Sequence, residues 1–281
     1  MDLESKFLCL LKMIVHNFDP VFIDLGFLQV RWYSLAYIGG IILGWVYANK
    51  IIKKINFKAP NFKFIKSNDI DELIIYLIFG IVLGGRLGYV IFYNFEYFSK
   101  NIIEIFKIWH GGMSFHGGLL GVAISILIFS KLKKNNFFKY SDVIACVAPI
   151  GLFFGRLANF INGELFGKIT NVPWAVIFPE GGNFSRHPSQ IYEAFLEGIV
   201  LLFILNFLAT KKLLLLKPGY ISGFFLIIYS VFRIFSEIYR EPDAHLGYFF
   251  NYFSMGTMLS ALTFLSGCCI VFYIKNNEQN N

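Results

Sequence analysis

Residues Trp32–Asn49 read WYSLAYIGGIILGWVYAN, eighteen positions without one Asp, Glu, Lys or Arg. That length and apolarity match the roughly 20 residues a helix needs to cross the hydrocarbon core of a bilayer. Working outward from a first span at 32–50, further apolar stretches follow at 73–94, 112–130, 142–162, 189–210, 219–239 and 253–274. The sequence therefore predicts an all-α polytopic membrane protein with about seven transmembrane helices. No internal repeat, low-complexity tract or Pro/Ser-rich linker interrupts the series. A single membrane-embedded domain over 1–281 is expected: a surface segment at 1–31, a seven-helix bundle at 32–274 and a tail at 275–281.

Composition agrees with lipid as the main solvent. The chain is 56% hydrophobic and only 15% charged, against about 25% charged residues in ordinary soluble domains. Its 34 Phe, 15 Tyr and 4 Trp exclude a solvated disordered chain, and four cysteines in 281 residues exclude a disulfide scaffold. The N-terminus lacks the basic opening of a signal peptide, since Asp2 and Glu4 precede Lys6. Phe7, Leu10, Leu11 and Ile14 recur at helical spacing and predict a short amphipathic helix at the membrane surface.

The net charge of +7 could signify nucleic acid, an anionic surface or membrane topology, and its distribution decides. Lys50, Lys53, Lys54, Lys58, Lys63 and Lys66 follow the first span. Lys131, Lys133, Lys134 and Lys139 follow the third, Lys211, Lys212 and Lys217 the fifth, and Lys275 the last. Alternate loops are poor in cations and carry Glu96, Glu104, Glu180, Glu241 and Asp243. The positive-inside rule then places the N-terminus outside and the C-terminus in the cytoplasm. The excess is a topological label, and no nucleic-acid partner is expected.

Against this background the ionisable residues inside spans stand out, each costing about 2.5–3.5 kcal/mol at a helix centre. They are Arg86 in span 2, Arg156 in span 4, Glu193 and Glu197 in span 5, and Arg233 and Glu237 in span 6, with His116 and Arg240 at span ends. The predicted topology brings all of them toward the outer side. Arg233, Glu237 and Arg240 share one helical stripe, as do Arg156 and Asn159. Gly80, Gly84 and Gly88 are spaced for close helix packing near Arg86. Blander readings exist: a structural ion pair for Arg233–Glu237, backbone carbonyls around Arg86, and snorkelling of the set to the headgroups. Snorkelling leaves the neighbouring Asn159, Asn162, Glu164 and His116 unexplained.

Arginines with glycine-rich backbone at headgroup depth suggest a phosphate site, because guanidinium is permanently charged and can grip phosphate oxygens bidentately. The segment Gly111–Gly118 offers backbone N–H groups at a helix start, where anions are favoured, although a tight turn explains it equally well. All five histidines, His16, His110, His116, His187 and His245, fall on the predicted outer side. With no H-E-x-x-H pair and no paired cysteine spacing, no metal site is expected. Cys146, Cys268 and Cys269 lie in apolar helices and read as packing residues. Trp32, Tyr33 and Trp109 sit where interfacial aromatics are common.

The run Gly155-Arg156-Leu157-Ala158-Asn159-Phe160-Ile161-Asn162-Gly163-Glu164-Leu165-Phe166-Gly167 resembles the signature of the bacterial phosphatidylglycerol–prolipoprotein diacylglyceryl transferases. So do Gly84-Gly85-Arg86-Leu87-Gly88-Tyr89, the Gly111–Gly118 segment with His116, and Arg186-His187-Pro188-Ser189-Gln190-Ile191-Tyr192-Glu193. Phe232-Arg233, Glu237 and Arg240-Glu241-Pro242-Asp243 complete the set, and the motifs cover most of the chain. The chain departs from the family pattern in a shorter 168–185 segment, in His110 and in Ala158.

The resemblance implies a seven-helix enzyme of the bacterial inner membrane, its active site toward the periplasm. It implies transfer of a diacylglyceryl group from phosphatidylglycerol to the lipobox cysteine of a preprolipoprotein signal peptide, with the lipid bilayer as surroundings and no cofactor. It implies catalytic roles for His116, Arg156, Arg240 and Glu164. Phosphatidylglycerol would be bound by Arg156, Arg86, Arg240, Asn159, Tyr33 and Gly167, with Arg233, Glu237, Asn162, His187 and Glu193 in support. His116 is the candidate base and Glu164 the alternative. A lipid transporter is the competing class; it predicts polar sites at the bilayer midplane, broken helices and an internal repeat, whereas these charges crowd one face.

Overall fold

The structure, a computed structural model, describes residues 14–26, 29–62, 64–108, 111–241, 248–249 and 253–279. Of the expected amphipathic helix on Phe7, Leu10, Leu11 and Ile14, the first three positions lie outside the described residues and Ile14 is in a short strand; Trp109, His110, Pro242, Asp243 and His245 also lie outside the described residues. The long helices are α1 (Trp32–Lys58), α2 (Ser67–Phe92), α4 (Phe115–Leu132), α5 (Phe137–Ile161), α8 (Tyr220–Glu237) and α9 (Met255–Gln279), with a short α3 (Phe95–Lys100) after α2. Span 5 is composite: α6 (Ser189–Glu193), a π-helical segment Ala194–Val200, then α7 (Leu201–Thr210). Six of these spans are long and apolar enough to cross a membrane, and α4 is a shorter apolar helix. The protein is an all-α polytopic membrane protein, as its composition predicts.

Helix limits differ from the apolar limits for physical reasons. The first span was expected to stop at residue 50, but α1 continues through Lys53, Lys54 and Lys58. Lysines are good helix formers whose heads can stay in water. α2 starts at Ser67 rather than 73, and Asp69 in its first turn accepts the Lys66 N–H at 3.3 Å. A carboxylate there suits the positive end of the helix dipole.

Large aliphatic and aromatic side chains such as Ile38, Ile42, Ile75, Phe79 and Leu83 are exposed, whereas Arg86, Glu193, Glu197 and Arg240 are buried. This inversion suits a chain whose helices face lipid, where only protein can satisfy polar groups.

Two compact units divide the chain. One comprises Met1–Gly44, Ala145–Lys212 and Tyr220–Asn281; the other comprises Trp45–Ile144 and Leu213–Gly219. In the second, Ile52, Ile55, Leu73, Phe129 and Tyr140 form a fully buried core, and the Tyr140 hydroxyl donates to Asp69 at 3.2 Å. Above all, α2 and α4 touch backbone to backbone: a Cβ on Gly88 would lie 2.8 Å from Gly117 Cα, and one on Gly84 2.9 Å from Gly121 Cα. The glycine spacing read from the sequence is thus a seam in which no side chain fits.

In the first unit, α8 and α9 approach closely at Gly223 and Gly267, and the hydroxyls of Ser230 and Thr263 lie 2.5 Å apart. Short strands accompany these helices. β1 (Ile14–Val15) runs parallel to β4 (Val176–Ile177), which pairs antiparallel with β5 (Ser185–Arg186). β2 (Val21–Asp24) and β3 (Gln29–Arg31) form a hairpin leading into α1.

Candidate active site

The site is built where α5 runs out. A helix C-terminus leaves carbonyls without intrahelical partners. Here they are closed by Asn162 N–H to Ala158 O (2.9 Å), Gly163 N–H to Phe160 O (3.0 Å) and Glu164 N–H to Asn159 O (3.1 Å). Gly163 has φ of 71°, and Leu165, at φ of 58°, also occupies the left-handed region. A leucine there costs about 1–3 kcal/mol and persists only if its surroundings enforce it. Two buried side chains opening α6 do so: Ser189 Oγ donates to Leu165 O at 3.0 Å and Gln190 Nε2 to Glu164 O at 2.7 Å.

Beyond this turn, Gly167 is threaded between two other segments. Its N–H donates to His187 O at 2.9 Å, and Lys168 N–H donates to Tyr239 O at 2.8 Å. A Cβ on Gly167 would lie 2.6 Å from both of those carbonyl oxygens, so only glycine fits. The thread also pairs Gly167 with Arg240. The signature segment thereby draws His187 and Arg240, far apart in sequence, to one place.

At the turn, Asn159 Nδ2 donates to Glu164 Oε1 at 2.7 Å and to the Tyr33 hydroxyl at 3.1 Å. One buried amide thus orients a carboxylate and a phenol. Asn162 is close in sequence but does not join this chain: among the described residues its buried Oδ1 has no hydrogen-bond partner.

Next to the turn lies a network of three arginines and three glutamates, in which Glu193, Glu197 and Arg240 are buried and Arg156, Arg233 and Glu237 are half-buried. Arg156 Nε pairs with Glu193 Oε2 at 2.8 Å, and Arg156 Nη2 with Glu197 Oε2 at 3.3 Å. Arg233 Nη1 meets Glu193 at 2.9 Å and Glu197 at 3.8 Å, while its Nη2 meets Glu237 at 2.8 Å. Arg240 Nη1 reaches Glu193 Oε1 at 3.4 Å. The Arg233–Glu237 pair weighed as self-contained is therefore one edge of a formally neutral cluster centred on Glu193. Removing one partner from such a buried set typically costs about 3–5 kcal/mol, because the remaining charges stay buried. Within it, Arg156 is incompletely engaged: among the described residues its Nη1 makes no hydrogen bond or ion pair.

His187 packs edge-on to Tyr239, with centroids 5.1 Å apart, and its Nδ1 lies 3.1 Å from the Tyr192 hydroxyl. Partial burial holds its pKa below the usual value of 6.5, so the ring is neutral at pH 7.

Arg86 and His116 belong to the second unit. Arg86 is buried and all its N–H groups are spent on backbone carbonyls: Nε on Ile105, Nη1 on Gly111 and Gly112, Nη2 on Glu104 and Lys107. These bonds match the blander reading of Arg86 as an arginine satisfied by backbone carbonyls. The Gly111–Gly118 segment, open to reading as an anion site or as a tight turn, makes internal contacts. Gly111 and Gly112 turn carbonyls toward Arg86, Ser114 Oγ already accepts the Gly117 N–H at 3.2 Å, and Gly117 lies in the glycine seam. His116 is exposed one residue into α4, close to the expected helix start. Among the described residues no three His, Cys, Asp or Glu side chains group as metal ligands.

Sequence reasoning left several contributors unassigned. Glu197, four residues after Glu193, was legible as a second carboxylate on the same helical face. Ser189 and Gln190 carried no signal beyond their motif, because only the folded turn shows which carbonyls they hold.

The model of the family described as prolipoprotein diacylglyceryl transferase matches residues 20–273. Among curated relatives, the chain is similar to the phosphatidylglycerol–prolipoprotein diacylglyceryl transferase of Rickettsia bellii (strain OSU 85-389), 49% identical over 260 residues, 92% of this chain and 96% of the relative. That of Rhizobium meliloti is 48% identical over 243 residues, 86% and 87% of the two chains. That of Agrobacterium fabrum is 46% identical over 265 residues, 94% and 95% of the two chains. With the signature turn and its charge network in place, the chain belongs to the prolipoprotein diacylglyceryl transferase family.

Proposed function

We propose that this protein transfers the diacylglyceryl group of phosphatidylglycerol to the lipobox cysteine thiol of a prolipoprotein signal peptide. A carbon–sulfur bond forms as the carbon–oxygen bond to phosphate breaks. The bonding electron pair leaves on the phosphate oxygen, and glycerol phosphate is released. Supporting this reading most directly is Arg156, held by Glu193 and Glu197 with Nη1 uncommitted among the described residues. Such a guanidinium is already oriented when a phosphodiester arrives, so little reorganisation is needed as charge grows on the leaving group.

Arg240 is the second phosphate ligand in this reading. Tyr33, Asn159 and Glu164 form one hydrogen-bonded chain that orients the lipid headgroup, and Gly167 keeps the thread narrow. Glu193, Arg233 and Glu237 hold the arginines, and His187 packs beside them. A thiol near pKa 8.5 is mostly protonated at neutral pH, so a base is required. His116 takes the thiol proton, and Glu164 is the alternative acceptor. Arg86 shapes the backbone around Gly111 and Gly112 and takes no part in binding.

The lysine distribution supports a bacterial inner-membrane location with a periplasmic N-terminus, a cytoplasmic C-terminus and chemistry at the periplasmic face. The acyl chains stay in the bilayer, and 1–281 acts as one membrane-embedded domain. The test is release of glycerol phosphate from phosphatidylglycerol vesicles by the reconstituted protein, with a lipobox peptide or its Cys→Ser form. Equimolar release and thioether formation are expected only with the thiol. Release at the same rate with either peptide would make the protein a lipid hydrolase and overturn the reading.

A further inference from the structure

The signature turn has a support that no motif marks. His16 follows β1 and is buried, although Ile14 and Val15 beside it are exposed. Its N–H donates to Ile177 O at 2.9 Å, prolonging the parallel pairing of β1 with β4. Its ring lies edge-on to Phe160 and tilted against Phe178, with centroids 5.6 and 5.3 Å away. Phe178 in turn stacks on Phe166 of the signature segment at 5.5 Å, and the Arg186 guanidinium lies 4.8 Å from the Phe166 ring.

The polar atom of His16 has a specific address. Nε2 lies 2.6 Å from Phe160 O. A carbonyl oxygen only accepts, so Nε2 carries the proton in the neutral ring and the charged ring alike. Phe160 O is also the acceptor for Gly163 N–H, the bond that closes the turn. The same ring lies under Gly163: a Cβ there would come within 3.2 Å of His16 Cε1. His16 therefore touches both ends of the turn, one residue from Asn159 and one from Glu164. If space-filling were its only task, an apolar ring would serve as well.

We propose that His16 is a positioning residue for the transfer reaction. Through Phe160 O and Gly163 it sets the spacing between Asn159 and Glu164. The inference rests on the functional reading above. It says that a segment outside the signature governs turnover without touching substrate. Misplacing an orienting group by about 1 Å can cost on the order of a hundredfold in rate.

Two variants separate the hydrogen bond from the packing. His16→Phe keeps a ring and removes the donor; His16→Gln removes the ring and keeps an N–H at similar reach. The assay measures kcat and KM for phosphatidylglycerol in thioether formation, with melting in detergent, beside the wild type. The expected result is a fall of about tenfold or more in kcat for His16→Phe with KM and melting unchanged, and recovery to within about threefold in His16→Gln. Full activity in His16→Phe overturns the proposal, because packing alone would suffice. Equal losses in both variants overturn it too, with or without lowered melting, since the donor would not be the determinant. Wild-type protein that forms no thioether defeats the functional reading itself, and this role with it.

Discussion

Arg86 and Arg156 both sit in apolar helices of one chain, the first buried and the second half-buried, and their surroundings satisfy them in opposite ways. Arg86 meets only neutral acceptors, the carbonyls of Glu104, Ile105, Lys107, Gly111 and Gly112, and these consume its donors. Arg156 meets the carboxylates Glu193 and Glu197, which fix its plane while Nη1 stays uncommitted among the described residues. A saturated guanidinium holds backbone together; a fixed and incompletely used one can receive an anion. An intramembrane arginine is a functional candidate by default, and the inventory of its donors decides what kind.

Arg156→Ala should lower thioether formation per folded molecule by about 10²–10³, the usual loss when one preorganised donor to developing charge is removed. Near-normal turnover would sink the phosphate role. Arg86→Ala tests the other side. It strips five carbonyls of their donor, so the yield of folded protein and its melting temperature should fall by the equivalent of about 3 kcal/mol or more. Surviving molecules should turn over within a few-fold of wild type, and normal stability would show that the carbonyl cage is dispensable.

A smaller effect is expected at His187. Burial holds its folded-state pKa below 6.5, so the unfolded chain binds the extra proton more readily in the acid range. Its contribution is fully present above the unfolded value of 6.5 and is lost as pH falls below it. Melting followed from pH 7.5 to 5 should show a modest acid loss that His187→Gln reduces. An identical acid loss in the variant would place its origin elsewhere.

Much of this architecture is legible in the sequence because lipid imposes a simple rule. A helix must be long and apolar to span, so Trp32–Asn49 and its successors reveal themselves, and the lysine loops suggest orientation. Charges that violate the rule, such as Arg156 and Glu193, were legible as candidates for the same reason. What the sequence withholds is who satisfies whom. Gly111 reads equally as an anion nest or as a carbonyl acceptor for Arg86, because both use the same flexible backbone.

The two-residue strands β1, β4 and β5 are too short to show periodicity, so the thread joining His16 to the signature turn was invisible. The π-helical segment Ala194–Val200 is likewise unmarked, since its apolar residues fit an α-helix equally well. The motif Ser189-Gln190 shows its purpose only when Leu165 is found in the left-handed region that those side chains enforce.

Whether these two arginines divide structural from catalytic work is decided by one paired measurement. Arg156→Lys and Arg86→Lys both keep the charge and remove the fork geometry. Thioether formation per folded molecule should be measured for both beside the wild type, with the folded fraction determined in parallel. Arg156→Lys should fold but turn over about a hundredfold more slowly, because an ammonium cannot span two carboxylates and a phosphate. Arg86→Lys should yield less folded protein with nearly normal turnover. The reverse pattern, a slow Arg86→Lys and a nearly normal Arg156→Lys, would contradict that division.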